Sequence, residues 1–120
     1  APSVVVEKTQ QFFDLPIAEK HYPGRFMLYV VDVKSDQSHL LPATTHIDGT
    51  ARVQTVHQEM NPRYYNLIRR FGEATGVPVV LNTSFNLKGE PIVASPLDAW
   101  RTFMKSGLEL LVLENFLIEK

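Results

Sequence analysis

The chain has 120 residues, the size of one ordinary domain, and its 44% apolar and 21% charged content excludes a disordered polypeptide. Twelve basic against 13 acidic residues leave a net charge of −1, without the basic excess of a broad nucleic-acid binder. The absence of cysteine removes disulfides, thiol catalysis and Cys-ligated zinc, and apolar runs such as Val4–Val6 and Leu110–Leu113 fall far short of the ~20 residues of a membrane span.

Val5, Thr9, Phe12 and Phe13 recur at near-helical spacing after Ser3, which predicts a short helix stopped by Asp14-Leu15-Pro16. His21-Tyr22-Pro23-Gly24 is a turn signal. The β-branched and aromatic run Phe26–Val33 predicts a strand buried on both faces, and the polar stretch from Lys34 to His39 a loop. Asp48-Gly49 predicts the turn of a hairpin. Beyond it Ala51, Val53 and Thr55 alternate with Arg52, Gln54 and Val56, so a strand sets Arg52 and Gln54 on one face, about 7 Å apart.

Asn61-Pro62 opens the clearest helix, with an N-cap and a proline at the first helical position. Tyr64, Leu67, Ile68 and Phe71 form its expected apolar face and Gly76 ends it. Val77–Leu81 reads as a short buried strand that runs into the polar loop from Asn82 to Asn86. Ser95-Pro96 opens a second helix with Ala99, Phe103 and Met104 inward and Gly107 past its end. Leu108–Leu113 and Phe116–Ile118 read as two last strands around Glu114-Asn115. This order predicts one α/β (α+β) domain over residues 1–120, with a mixed twisted sheet and flanking helices.

Two segments carry polar residues that a fold alone does not ask for: residues 46–54 and residues 81–90. Ligands bind beyond the carboxyl ends of strands in sheets flanked by helices, which is where the second segment lies. It offers amides and hydroxyls but no nucleophile–base pair, which suits holding a polar ligand and assigns no catalytic residue. The Arg52 guanidinium matches phosphate oxygens, and Asn82 and Ser84 can bond the remaining atoms. The plainer readings are a turn at Asp48-Gly49, a solvated Arg52, and Asn82 and Ser84 tying off loop backbone. The histidines His21, His39, His46 and His57 show no metal-ligand spacing, and no phosphate-binding GxxxxGK[ST] loop is present.

Residues 46–56 and 76–92 resemble two signatures of the O-carbamoyltransferases of the nodulation-protein and antibiotic-biosynthesis type. Asn61-Pro62-Arg63-Tyr64-Tyr65, Ser95-Pro96-Leu97-Asp98-Ala99 and the ending from Leu113 to Lys120 fit the same pattern, so the similarity covers nearly the whole chain. It implies the carboxyl-terminal portion of a larger enzyme, within a YrdC-like part that forms carbamoyl adenylate from carbamoyl phosphate and ATP. The carbamoyl group then moves to a hydroxyl acceptor held by an amino-terminal part, where the divalent metal is also expected. Carried over by motif, Arg52, Asn82 and Ser84 contact carbamoyl phosphate or the nucleotide phosphate, with Gln54, Asn86 and His46 as weaker candidates.

The resemblance implies a basic segment just upstream of Ala1-Pro2-Ser3-Val4, which is expected to be missing from this chain. The chain is therefore expected to be cut from something longer, inactive alone and open to self-association through an uncovered edge. A cytoplasmic location without membrane or nucleic-acid partners is also expected. The alternatives are a stand-alone phosphate- or nucleotide-binding module, or a purely structural domain.

Overall fold

A computed structural model describes all 120 residues, Ala1–Lys120. The chain is mixed α/β and divides into two compact units, Ala1–Asn82 and Thr83–Lys120.

The first unit is built on β1 (Pro2–Val5), β4 (Gln54–Val56) and β5 (Val79–Leu81), in the order β4-β1-β5. β1 runs parallel to β4, with Ser3 opposite Gln54 and Val5 opposite Val56, and antiparallel to β5, with Ser3 opposite Val80. The sheet is thus mixed, as expected. The helix predicted from Ser3 to Phe13 is corrected: its first residues form the central strand, and only α1 (Thr9–Phe12) is a helical turn after a short 3-10 turn. All four residues of β1 are buried, and an apolar run covered on both faces carries no period that separates strand from helix. Consecutive valines then favour the pleated surface.

Residues in register share a face, and each face of this sheet has its own core. Val4 and Val79 pack with Phe12, Phe13, Leu15, Val31, Leu41 and Val53. On the opposite face Val5 and Val56 pack with Ile68, backed by Val80, Tyr64 and Tyr65.

β2 (Val30–Asp32) pairs antiparallel with β3 (Thr50–Arg52), bringing Val30 opposite Arg52 and Asp32 opposite Thr50. Two expectations change here. The partner of Thr50–Arg52 is this distant strand, so Asp48-Gly49 turns the chain without joining a hairpin. The strand is also shorter than Phe26–Val33 and is not buried on both faces: Leu28, Tyr29 and Val30 are exposed, while Val31 and Val33 reach the core.

α2 (Pro62–Thr75) starts where Asn61 Oδ1 accepts from the Tyr64 N–H at 3.1 Å, and ends at Gly76 with φ +82°. Its inward stripe runs through half-buried Tyr65, buried Ile68 and half-buried Gly72, whereas Leu67 and Phe71, expected inside, are 59% and 43% exposed. Gly72 explains the rotation. A Cβ at this position would lie 2.5 Å from Pro78 Cβ and 2.8 Å from Pro78 Cα. A glycine is therefore what lets the helix settle onto the segment entering β5, and it adds nothing to an apolar count.

The second unit holds α3 (Pro96–Lys105) and the hairpin of β6 (Leu110–Leu113) and β7 (Phe116–Glu119), with Leu111 opposite Ile118. Ser95 Oγ caps α3 by accepting from the Asp98 N–H at 3.2 Å. Ala99, Phe103 and Leu111 form the core, backed by Phe85, Val93, Leu113 and Ile118. Met104, expected inward, is 51% exposed, because it sits one residue beyond the stripe that Phe103 occupies. No helix is long and apolar enough to cross a membrane.

Candidate ligand-binding site

The face of the first sheet that carries Val5 and Val56 turns polar at the amino ends of β1 and β4 and the carboxyl end of β5. Ser3 precedes Val5 by two residues, Gln54 precedes Val56 by two, and Asn82 follows Val80 by two, so the strand period puts all three on one face. Ser3 Oγ donates to Gln54 Oε1 at 2.7 Å, and Asn82 Nδ2 donates to the same oxygen at 2.8 Å. Gln54 Nε2 donates to the Arg25 carbonyl at 3.3 Å. Backbone bonds hold the end of the clasp: Ala1 N donates to the Asn82 carbonyl at 3.1 Å and Asn82 N to the Ala1 carbonyl at 2.7 Å. Ser3 is fully buried, and Gln54 and Asn82 are half-buried.

Arg52 ends β3 two residues before Gln54, on the same side of the chain by the strand period. Its side chain is exposed and makes no ion pair or hydrogen bond with the rest of the chain, leaving the guanidinium donors free. Two of the expected residues, Gln54 and Asn82, therefore meet at one end of the β4-β1-β5 sheet, and Arg52 ends the neighbouring strand β3 two residues before Gln54. A donor-only cation and a fixed carboxamide can grip an anion and a neighbouring polar group.

His46 is engaged elsewhere. Its Nδ1 lies 2.9 Å from Thr50 Oγ1, and Asp48 Oδ1 accepts from both Thr50 Oγ1 at 2.7 Å and Thr50 N at 3.0 Å. The Thr50 hydroxyl and amide, with a smaller contribution from the His46 charge, hold the exposed Asp48 carboxyl below its usual pKa. A depressed carboxylate supports its turn above the ordinary aspartate range, and that support fades as pH falls through the lowered value.

Ser84 and Asn86 belong to the second unit. Ser84 Oγ donates to Asn86 Oδ1 at 2.6 Å, and Asn86 Nδ2 donates to the Glu90 carbonyl at 3.0 Å. Both tie the 84–90 loop to itself in this conformation. No group of three or more His, Cys, Asp or Glu residues is placed to hold a metal ion.

Sequence reasoning missed Ser3 and the Arg25 carbonyl. A lone hydroxyl inside a buried valine run was the available signal for Ser3. A main-chain carbonyl brought in by the 3-10 turn Tyr22–Phe26 leaves none.

The chain belongs to the Carbamoyltransferase C-terminus family, matched over residues 1–120. Over its full length it is 48% identical to nodulation protein NolNO of Sinorhizobium fredii and 45% identical to nodulation protein NolO of Bradyrhizobium diazoefficiens, covering 17% and 22% of those proteins. Over 77 residues, 64% of the chain, it is 44% identical to 3'-hydroxymethylcephem-O-carbamoyltransferase of Amycolatopsis lactamdurans and covers 14% of that protein. The chain spans less than a quarter of the length of the curated relatives it matches.

Proposed function

We propose that this chain is the carboxyl-terminal part of an ATP-dependent O-carbamoyltransferase and forms one wall of its carbamoyl phosphate site. The observation that carries this reading is the unpaired Arg52 guanidinium two residues before Gln54 of the Ser3–Gln54–Asn82 clasp, in a chain of the carbamoyltransferase family. Arg52 takes the phosphate oxygens of carbamoyl phosphate or of the nucleotide, and Asn82 borders the carbamoyl end. Both groups bind and orient; neither is a nucleophile or a base. Carbamoyl phosphate loses its phosphate to water, the resulting carbamate displaces pyrophosphate from ATP to give carbamoyl adenylate, and the carbamoyl group then passes to a hydroxyl on a small-molecule acceptor with release of AMP. The acceptor and the divalent metal that neutralises nucleotide phosphates belong to the rest of the polypeptide.

Arg52 is a single positive charge, less than carbamoyl phosphate and ATP require, and the two amides are neutral. The 120-residue chain alone therefore does not make carbamoyl adenylate. Carbamoyl phosphate-dependent exchange of pyrophosphate into ATP tests this. The intact polypeptide carrying this stretch is expected to exchange, and the isolated chain is not. Exchange by the isolated chain, or its absence from the intact protein, contradicts the reading.

A further inference from the structure

We infer that Gln54 and Ser3 act as positioning residues that fix the Asn82 carboxamide, so that Asn82 Oδ1 accepts from the carbamoyl N–H and selects carbamoyl phosphate over an acyl phosphate of the same size. The inference rests on the carbamoyl phosphate reading and deepens it.

The argument starts at a group whose polarity cannot be reversed. The Arg25 carbonyl only accepts, so the Gln54 atom 3.3 Å from it is the amide nitrogen. That leaves Gln54 Oε1 facing Ser3 and Asn82. Its two lone pairs are filled by Ser3 Oγ at 2.7 Å and Asn82 Nδ2 at 2.8 Å. Turning Asn82 over would set two carbonyl oxygens against each other at hydrogen-bond distance. Asn82 therefore keeps its nitrogen inward, where Met27 Sδ, 3.8 Å away, is its one other neighbour of this kind. Asn82 Oδ1 has no partner within the chain and is the acceptor the corner offers. Arg52, which only donates, precedes Gln54 by two residues, so the strand period sets it on the same side of the chain.

One acceptor beside one cation is complementary to a ligand that carries an N–H next to a phosphate. Acetyl phosphate replaces that amino group with a methyl of similar size. It leaves Asn82 Oδ1 desolvated and unpaired, which a site built on a hydrogen bond penalises.

The test measures the affinities of the intact protein for carbamoyl phosphate and acetyl phosphate, and takes their ratio. The native protein is expected to favour carbamoyl phosphate about tenfold or more. Gln54→Met keeps the length and removes all three amide contacts, so Asn82 can turn and the ratio falls close to one. Asn82→Ala, which leaves Gln54 in place, gives the same loss. Arg52→Ala weakens both ligands by a similar factor and keeps the ratio, which separates orientation from charge. Equal binding of the two ligands by the native protein, or an undiminished ratio in Gln54→Met or Asn82→Ala, overturns the inference while the carbamoyl phosphate reading stands. A native protein that binds neither ligand overturns that reading and this inference with it.

Discussion

Arg52→Ala in the intact enzyme weakens carbamoyl phosphate binding by about ten- to a hundredfold, because a charge-assisted hydrogen bond to phosphate contributes about 1.5–3 kcal/mol. The side chain is exposed and has no partner in the chain, so its removal leaves no buried group unpaired and fold stability stays within about 0.5 kcal/mol of the native value. Arg52→Lys recovers only part of the loss, since an ammonium does not reproduce the planar fork. Calorimetric titration alongside a thermal melt reads both quantities. An unchanged affinity would mean that Arg52 is only a solvated residue of β3. A lost affinity with a collapsed melting temperature would assign Arg52 to the fold and not to the ligand.

The second large effect is on stability. Phe103→Ala empties the core of the second unit, where Phe103 is fully buried against Ala99 and Leu111. Such truncations cost about 3–5 kcal/mol, which is as much as a core this small supplies. The ring also lies under the Lys120 ammonium, 4.6 Å from its centroid, and Lys120 Nζ donates to the Phe103 and Ser106 carbonyls at 2.6 and 2.7 Å. The β6–β7 hairpin is therefore expected to lose its hold along with the ring. Amide exchange at Leu111 and Ile118 reads the outcome, with protection expected to fall to that of an open segment. Retained protection would show that the hairpin stands without this core. Trp100→Ala, three residues earlier and 43% exposed, is the matched control with a small effect.

The helices were the most legible elements, because Asn61-Pro62, Gly76 and Ser95-Pro96 are local signals whose capping bonds form as the residue types demand. Tertiary context decided the rest. Val4 and Val5 make the central strand because both faces of it are covered, and no window of sequence contains those covers. The inward face of α2 was misjudged at Leu67 and Phe71, since its closest approach is made by Gly72, a residue with no side chain to count. The strand expected over Phe26–Val33 shrank because the chain spends Tyr22–Phe26 in a 3-10 turn.

The candidate site was legible in its residue types but not in its connections. The strand period put Arg52 and Gln54 on one side of the chain, and the strand end pointed to Asn82. That Gln54 bonds Asn82 across β1, with Ser3 between them in register, needed the sheet order β4-β1-β5. Ser84 is engaged within its own loop, as its plainer reading had it, whereas motif membership gave no hint of the same for His46 and Asn86.

The central claim is that carbamoyl phosphate docks at the strand-end corner of the first unit. Hydrogen exchange of the intact protein with and without carbamoyl phosphate tests it most directly. Slowed exchange centred on residues 50–54 and 80–82, and absent in Arg52→Ala, is the expected result. Protection that leaves both segments unchanged, with binding otherwise evident, would place the ligand elsewhere and contradict the account.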